Sequence, residues 1–139
     1  MVSVESGFSV TGLNALGEKI QRALIGALQE AALNIETAAK IDCPAPMGIL
    51  RGSIHIEPIR EEDIYGYKIG SYLPYAPYVE FGTGAKVSVP SEYQEFALQF
   101  KGQKEVSGMN AQPYLLPNFE MEKEKFKENI LNVLENAKP

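Results

Sequence analysis

The chain has 139 residues, 45% hydrophobic and 22% charged, with a net charge of −5. That length and balance fit one folded domain, 1–139, with a core of its own, and they exclude a wholly disordered chain. The acidic total argues against a broad, sequence-independent grip on nucleic acid, which needs clustered Lys and Arg. Proteins are the expected partners.

Cys43 is the single cysteine, so no intramolecular disulfide can form, and with the single His55 it cannot complete a zinc site. A reducing compartment is the expectation. The opening MVSVESGFSV has neither a basic n-region nor a continuous apolar stretch, and is read as carrying no signal peptide. No run approaches the ~18 apolar residues of a membrane span.

From Leu13 to about Ile41 the residues Leu13, Leu16, Ile20, Leu24, Ala27, Ala31, Ile35 and Ala38 recur at helical spacing. One long helix is expected, about 42 Å at 1.5 Å per residue, with Thr11 or Asn14 as its cap. Its apolar face would be covered by its own domain or shared with a neighbour. Asp42-Cys43-Pro44-Ala45-Pro46-Met47-Gly48 ends it, since each proline biases its predecessor away from helical geometry. Leu50, Ile54 and Ile56 then alternate with Arg51, Ser53, His55 and Glu57, the period of a half-buried strand. After a charged turn at Arg60–Asp63, Ile64–Ser71 returns with Tyr65, Tyr67 and Ile69 on one face. A β-hairpin over 50–71 follows.

In YAPYVEFGTG, Tyr75 to Gly84, the apolar residues do not alternate, and a short helix near 75–81 stopped by Gly82 fits best. Residues 85–110 read as an insert or mobile arm, with a short strand at Lys86–Val89 and a capping box at Ser91–Gln94. A C-terminal helix runs to about Asn136, with Pro117 in its first turn and an apolar face of Phe119, Phe126, Ile130, Val133 and Leu134. Glu120–Lys123, Glu122–Lys125 and Glu124–Lys127 would pair on its solvated side. The expected fold is α+β: a long N-terminal helix and a C-terminal helix packed on a small antiparallel sheet.

Sites of chemistry are not evident, and no catalytic, cofactor-binding or metal residue is expected. Gly82-Thr83-Gly84-Ala85-Lys86 lacks the spacing of a phosphate-binding loop. Cys43 sits among prolines and His55 on a polar strand face, with no third group to orient a dyad. Glu80 stands out because, if buried, it needs a partner. Arg51 is the expected one, in an ion pair clamping the short helix to the hairpin.

Four segments together resemble the tail-component proteins of long-tailed bacteriophages, the tail completion or head–tail joining proteins of the neck: GLNALGEKI, ETAAKIDCPAPMGILRGSI, YAPYVEFGTG and AQPYLLPNFE. The second is similar to that family's helix end followed by glycine and Leu-Arg-x-Ser-Ile, the third to its Tyr-Ala-x-Tyr-Val-Glu-Phe-Gly-Thr, and the fourth to its Gln-Pro-Phe-Leu-x-Pro-Ala. The matching positions are Gly48, Leu50, Arg51 and Ser53; Tyr75, Ala76, Tyr78, Val79, Glu80, Phe81, Gly82 and Thr83; and Gln112, Pro113 and Pro117. Pro46-Met47 stand where the family has Asp-Thr. The resemblance implies a non-enzymatic virion part made in the bacterial host cytoplasm. It would need no cofactor or membrane, its partners would be other neck and tail proteins, and it would assemble as a homo-oligomeric ring. The alternative is a small enzyme or ligand-binding domain whose site the sequence does not connect.

Overall fold

A computed structural model describes residues 1–61, 63–82 and 110–136. The chain runs β1 (Val2–Ser9), α1 (Val10–Asn14), α2 (Glu18–Asp42), α3 (Gly48–Ser53), β2 (His55–Ile59), β3 (Ile64–Ser71), α4 (Ala76–Phe81) and α5 (Leu116–Asn136). Among these elements the strands form one antiparallel sheet in the order β1-β3-β2. The α+β expectation, helices on a small antiparallel sheet, holds. The expected insert, its strand and capping box, and Thr83 fall on residues outside those described, Asn110 excepted.

The central strand is the last of the three in sequence. Ile64 to Ser71 pairs with Ser9 to Val2 on one side, and Gly66 to Gly70 with Ile59 to His55 on the other. Val2 and Val4 alternate with Ser3 and Glu5, so β1 turns its valines inward onto Ile69 and the helices. α2 lies across the sheet and α5 along α2. Leu28, Ala32, Ile35 and Ala39 of α2 are buried, at the spacing of one helical face.

The expected helix from Leu13 to Ile41 is two helices. α1 is held by groups from a distant turn: the Asp63 carboxylate accepts from the Ser9 hydroxyl (2.7 Å), the Thr11 amide (2.7 Å) and the Thr11 hydroxyl (2.8 Å). Ser9 Oγ in turn accepts from the Gly12 amide at 3.1 Å, making Ser9 the cap. These bonds hold the Asp63 carboxyl below its ordinary range. α2 restarts at Gly17, whose extended backbone (ψ 151°) breaks the helical path.

The hairpin is also shorter than 50–71. Leu50–Ser53 is helical, the Arg51 amide donating to Met47 O at 2.9 Å, and the first strand begins at His55. Leu50 and Ile54 are both buried, four residues apart. A period of 2 and a period of 3.6 both place i and i+4 on one side, so that pair does not distinguish strand from helix. Between the two strands the Ile64 amide donates to Glu61 O at 2.8 Å, and the Arg60 guanidinium lies 5.2 Å from the Tyr65 ring centre.

Candidate functional site

Three of the four segments singled out in the sequence contribute to one junction, a buried cluster with Cys43 at the end of α2, Leu50 of α3, Val79 and Phe81 of α4 and Tyr114 of the lead-in to α5, whereas GLNALGEKI lies at α1 and the start of α2. Pro77 sits in the first turn of α4, and Gly82 closes the helix at φ 80°, the one positive φ among the described residues. That backbone is costly for a residue with a Cβ. Ala76, Val79, Glu80 and Phe81 are buried, whereas Tyr75 is exposed. The aromatic anchors of the junction are therefore Phe81 and Tyr114.

Two helix ends lie here, and each carries unpaired backbone groups that need partners. Arg51 serves the C-terminal end of α2. Its Nε donates to Lys40 O at 3.1 Å, and one terminal nitrogen donates to Cys43 O at 3.2 Å and Pro44 O at 3.3 Å. A guanidinium at that end also meets the negative pole of the helix. Glu80 serves the N-terminal end of α5, where one oxygen accepts from the Leu115 amide at 2.7 Å and the Leu116 amide at 3.4 Å. The expected Arg51–Glu80 ion pair does not form. The two charges cap two different helices, and the second oxygen of Glu80 is buried without a hydrogen-bond partner among the described residues. Burial pushes the Glu80 carboxyl up to about 7, against the pull of backbone amides from Leu115, Leu116 and Tyr114.

The remaining bonds tie the lead-in down. The Gln112 amide donates to Val79 O at 2.8 Å, and the Tyr114 hydroxyl to Ala76 O at 3.4 Å. Asn118 Nδ2 donates to Tyr114 O and to the Asp42 carboxylate, both at 2.8 Å. At the other side of α3 runs a relay of hydroxyls. The Leu73 amide donates to Ser71 Oγ (3.1 Å), and Ser53 donates to Leu50 O (2.7 Å). The 2.6 Å contact between the two serines then requires Ser71 as donor.

At other matched positions the side chain has no such role. Gln112, Pro113 and Pro117 are exposed, and an added Cβ at Gly48 would meet nothing within 4 Å. The groups missed from sequence were Tyr114, the Leu115 and Leu116 amides, Ser71, Asn118 and Asp63. Only AQPYLLPNFE gave a signal, and there it lay in the prolines rather than in Tyr114.

Arg51→Ala is expected to lower stability by about 2 kcal/mol, because it strips three carbonyls of their donor. Arg51→Lys should recover less than half of that, since a single ammonium cannot reproduce the planar fork. Urea denaturation midpoints measure both, and an unchanged midpoint for the alanine variant would remove the capping role.

His55 and Cys43 do not meet as a pair. His55 Nδ1 faces Ser53 O and Nε2 faces a Glu57 oxygen, each at 2.8 Å, while Tyr72 donates to the other Glu57 oxygen at 2.9 Å. Both ring nitrogens thus face acceptors, which favours the imidazolium. The Glu57 bond, then the Ser53 carbonyl, raises the His55 pKa. Cys43 is buried, and desolvation raises its thiol pKa. No group of three His, Cys, Asp or Glu among the described residues could hold a metal ion.

The helical layer presents apolar side chains and open grooves. Phe119, Phe126, Ile130 and Val133 of α5 are only half-buried, and Leu131 and Leu134 are exposed. A groove of about 320 Å³ between α2 and α5 is lined by Ile41 and Met121, 76% and 62% exposed, with Thr37, Ala38 and Lys125. Glu122, expected on the solvated side, is instead buried, with its carboxylate accepting from Asn34 at 2.9 Å. No helix among the described residues is long and apolar enough to cross a membrane.

Fold and junction define a small α+β module whose buried polar groups hold helix ends in place. The family described as "Bacteriophage HK97-gp10, putative tail-component" matches residues 11–82, just over half of the chain, from α1 to the glycine that ends α4. The chain belongs to this phage tail-component family. No curated protein and no solved structure matches it.

Proposed function

We propose that this protein is a virion structural component that completes the tail or joins head and tail at the neck, acting by protein–protein assembly and not by catalysis. Family membership over 11–82 carries the reading. The structure adds support of a physical kind. The half-buried Arg51 and the buried Glu80 are committed to helix ends, and the exposed apolar residues Leu33, Ile41, Met121 and Leu131 lie on α2 and α5. Such apolar surface is what a partner chain covers. The partners on this reading are other neck and tail proteins and further copies of the chain in a ring, put together in the host cytoplasm and carried in the virion. A ring uses two different patches per subunit, a heterologous interface that closes.

Purified protein is expected to be monomeric or weakly associated in light scattering, with rings in negative-stain images of concentrated samples. A single tight dimer at all concentrations, with no ring, would count against this reading.

A further inference from the structure

The junction holds one ionisable group whose two oxygens are treated differently. One Glu80 oxygen receives the Leu115 and Leu116 amides at the start of α5, while the other is buried with no hydrogen-bond partner among the described residues. Glu80 stands on α4, and the amides it receives begin a helix 35 and 36 residues further on, so this contact joins two distant parts of the chain. A neutral carboxyl group costs less in this site than a carboxylate: its carbonyl oxygen accepts the amides, and the hydroxyl on the orphaned oxygen is unpaired but uncharged. A carboxylate places an uncompensated charge there. The backbone amides of Leu115, Leu116 and Tyr114 favour that charge but do not outweigh burial, and no side-chain charge helps them. The phenol of Tyr114 faces it from the α5 lead-in, and the thiol of Cys43 interacts with Tyr114 from the end of α2; both are uncharged near neutrality. No lysine, arginine or second carboxylate among the described residues contributes to its shift, and Arg51 is occupied by carbonyls.

We propose that Glu80 is a proton-operated latch between α4 and α5: protonated, it holds the first turn of α5 docked, and ionised, it lets that turn open. Opening would bare Tyr114, Leu115 and Leu116, all buried in the docked form. The latch rests on the junction's geometry and stands independently of a role at the neck.

The sign follows from linkage. The folded carboxyl binds its proton more tightly than an exposed glutamate, with a pKa of about 7 against the ordinary 4.5. The docked turn is therefore most stable below pH 4.5 and loses that stability as pH rises to 7. The test is hydrogen exchange by NMR on the full chain, together with a carbon-13 titration of the Glu80 carboxyl. Protection factors for the Leu115 and Leu116 amides should fall roughly thirtyfold between pH 5 and pH 7, while amides of β3 keep theirs. In Glu80→Gln the fall should vanish. The latch is overturned if the glutamine variant keeps the same pH slope, or if β3 amides lose protection in parallel, which would be global unfolding. Should that variant not fold, the wild-type titration decides: an apparent pKa near 4.5 ends the proposal and one near 7 supports it.

Discussion

Gly70→Ala is expected to be among the most damaging single substitutions in the sheet. A Cβ at Gly70 would lie 2.0 Å from Val2 O, 2.7 Å from Ser3 Cα and 2.8 Å from Ser3 Cβ. Two of these are backbone atoms, which cannot swing aside as a side chain can. The methyl group is accommodated only if β1 moves off β3. β1 packs Val2 and Val4 into the core, so the displacement reaches the apolar contacts as well as the ladder. The expected loss is about 3 kcal/mol or more, at or above the top of the range for ordinary over-packing. Against a total stability on the order of 5–15 kcal/mol, that leaves a weakened or partly unfolded chain. Gly26→Ala is the matched control. Gly26 lies within α2 with nothing within 4 Å of an added Cβ, so alanine there should stabilise by roughly 0.5–1 kcal/mol. Urea denaturation of both variants gives the comparison, and a Gly70→Ala midpoint equal to wild type would show that the two strands have room to separate.

That close approach also explains why β1 was illegible in the sequence. Val2-Ser3-Val4-Glu5 does alternate, but Ser6, Gly7 and Ser9 have little strand propensity. The strand is specified by its partner: Val2 faces Ser71 and Ser9 faces Ile64, separations of more than fifty residues that no local window reads. The break between α1 and α2 has the same origin. The apolar spacing runs straight through Leu13 and Leu16 into Ile20, and Asp63, on the hairpin turn, captures Ser9 and Thr11 and sets the first turn apart.

Where the determinants were local, the reading held. The prolines after Asp42 end α2, the charged turn joins two strands, YAPYVEFG makes one short helix ended by glycine, and α5 reaches Asn136. The site itself was half legible. Glu80 was recognisable as a charge among apolar residues, and Arg51 as a charge placed beside buried ones. Pairing them ignored the strongest competitors for a buried charge, the unpaired amides and carbonyls of helix ends. Glu122 shows the same limit from the other side. Its spacing to Lys125 suits a surface pair, but α2 brings Asn34 over it and the carboxylate is buried.

Tyr114→Ala is the other substitution expected to cost most, and its effect should fall on the same junction that Glu80 holds. Tyr114 is fully buried and is the largest of the fully buried side chains. It sits two residues before α5, in one cluster with Ala76, Val79 and Phe81 of α4, Leu50 of α3 and Cys43 at the end of α2. Removing the ring leaves a cavity in a cluster drawn from three helices besides the lead-in to α5; the expected loss is about 3–5 kcal/mol. The hydroxyl contributes little of this. Its bond to Ala76 O is long, 3.4 Å, so Tyr114→Phe should cost less than about 1 kcal/mol. The two variants separate packing from hydrogen bonding at one position. If packing of the ring docks α5, Tyr114→Ala should also increase exchange at the Leu115 and Leu116 amides more than at β3, because those amides depend on the lead-in staying against Glu80. Equal losses for alanine and phenylalanine would place the stabilisation in the hydroxyl instead, and a loss below about 1 kcal/mol for alanine would mean that the junction closes around the missing ring.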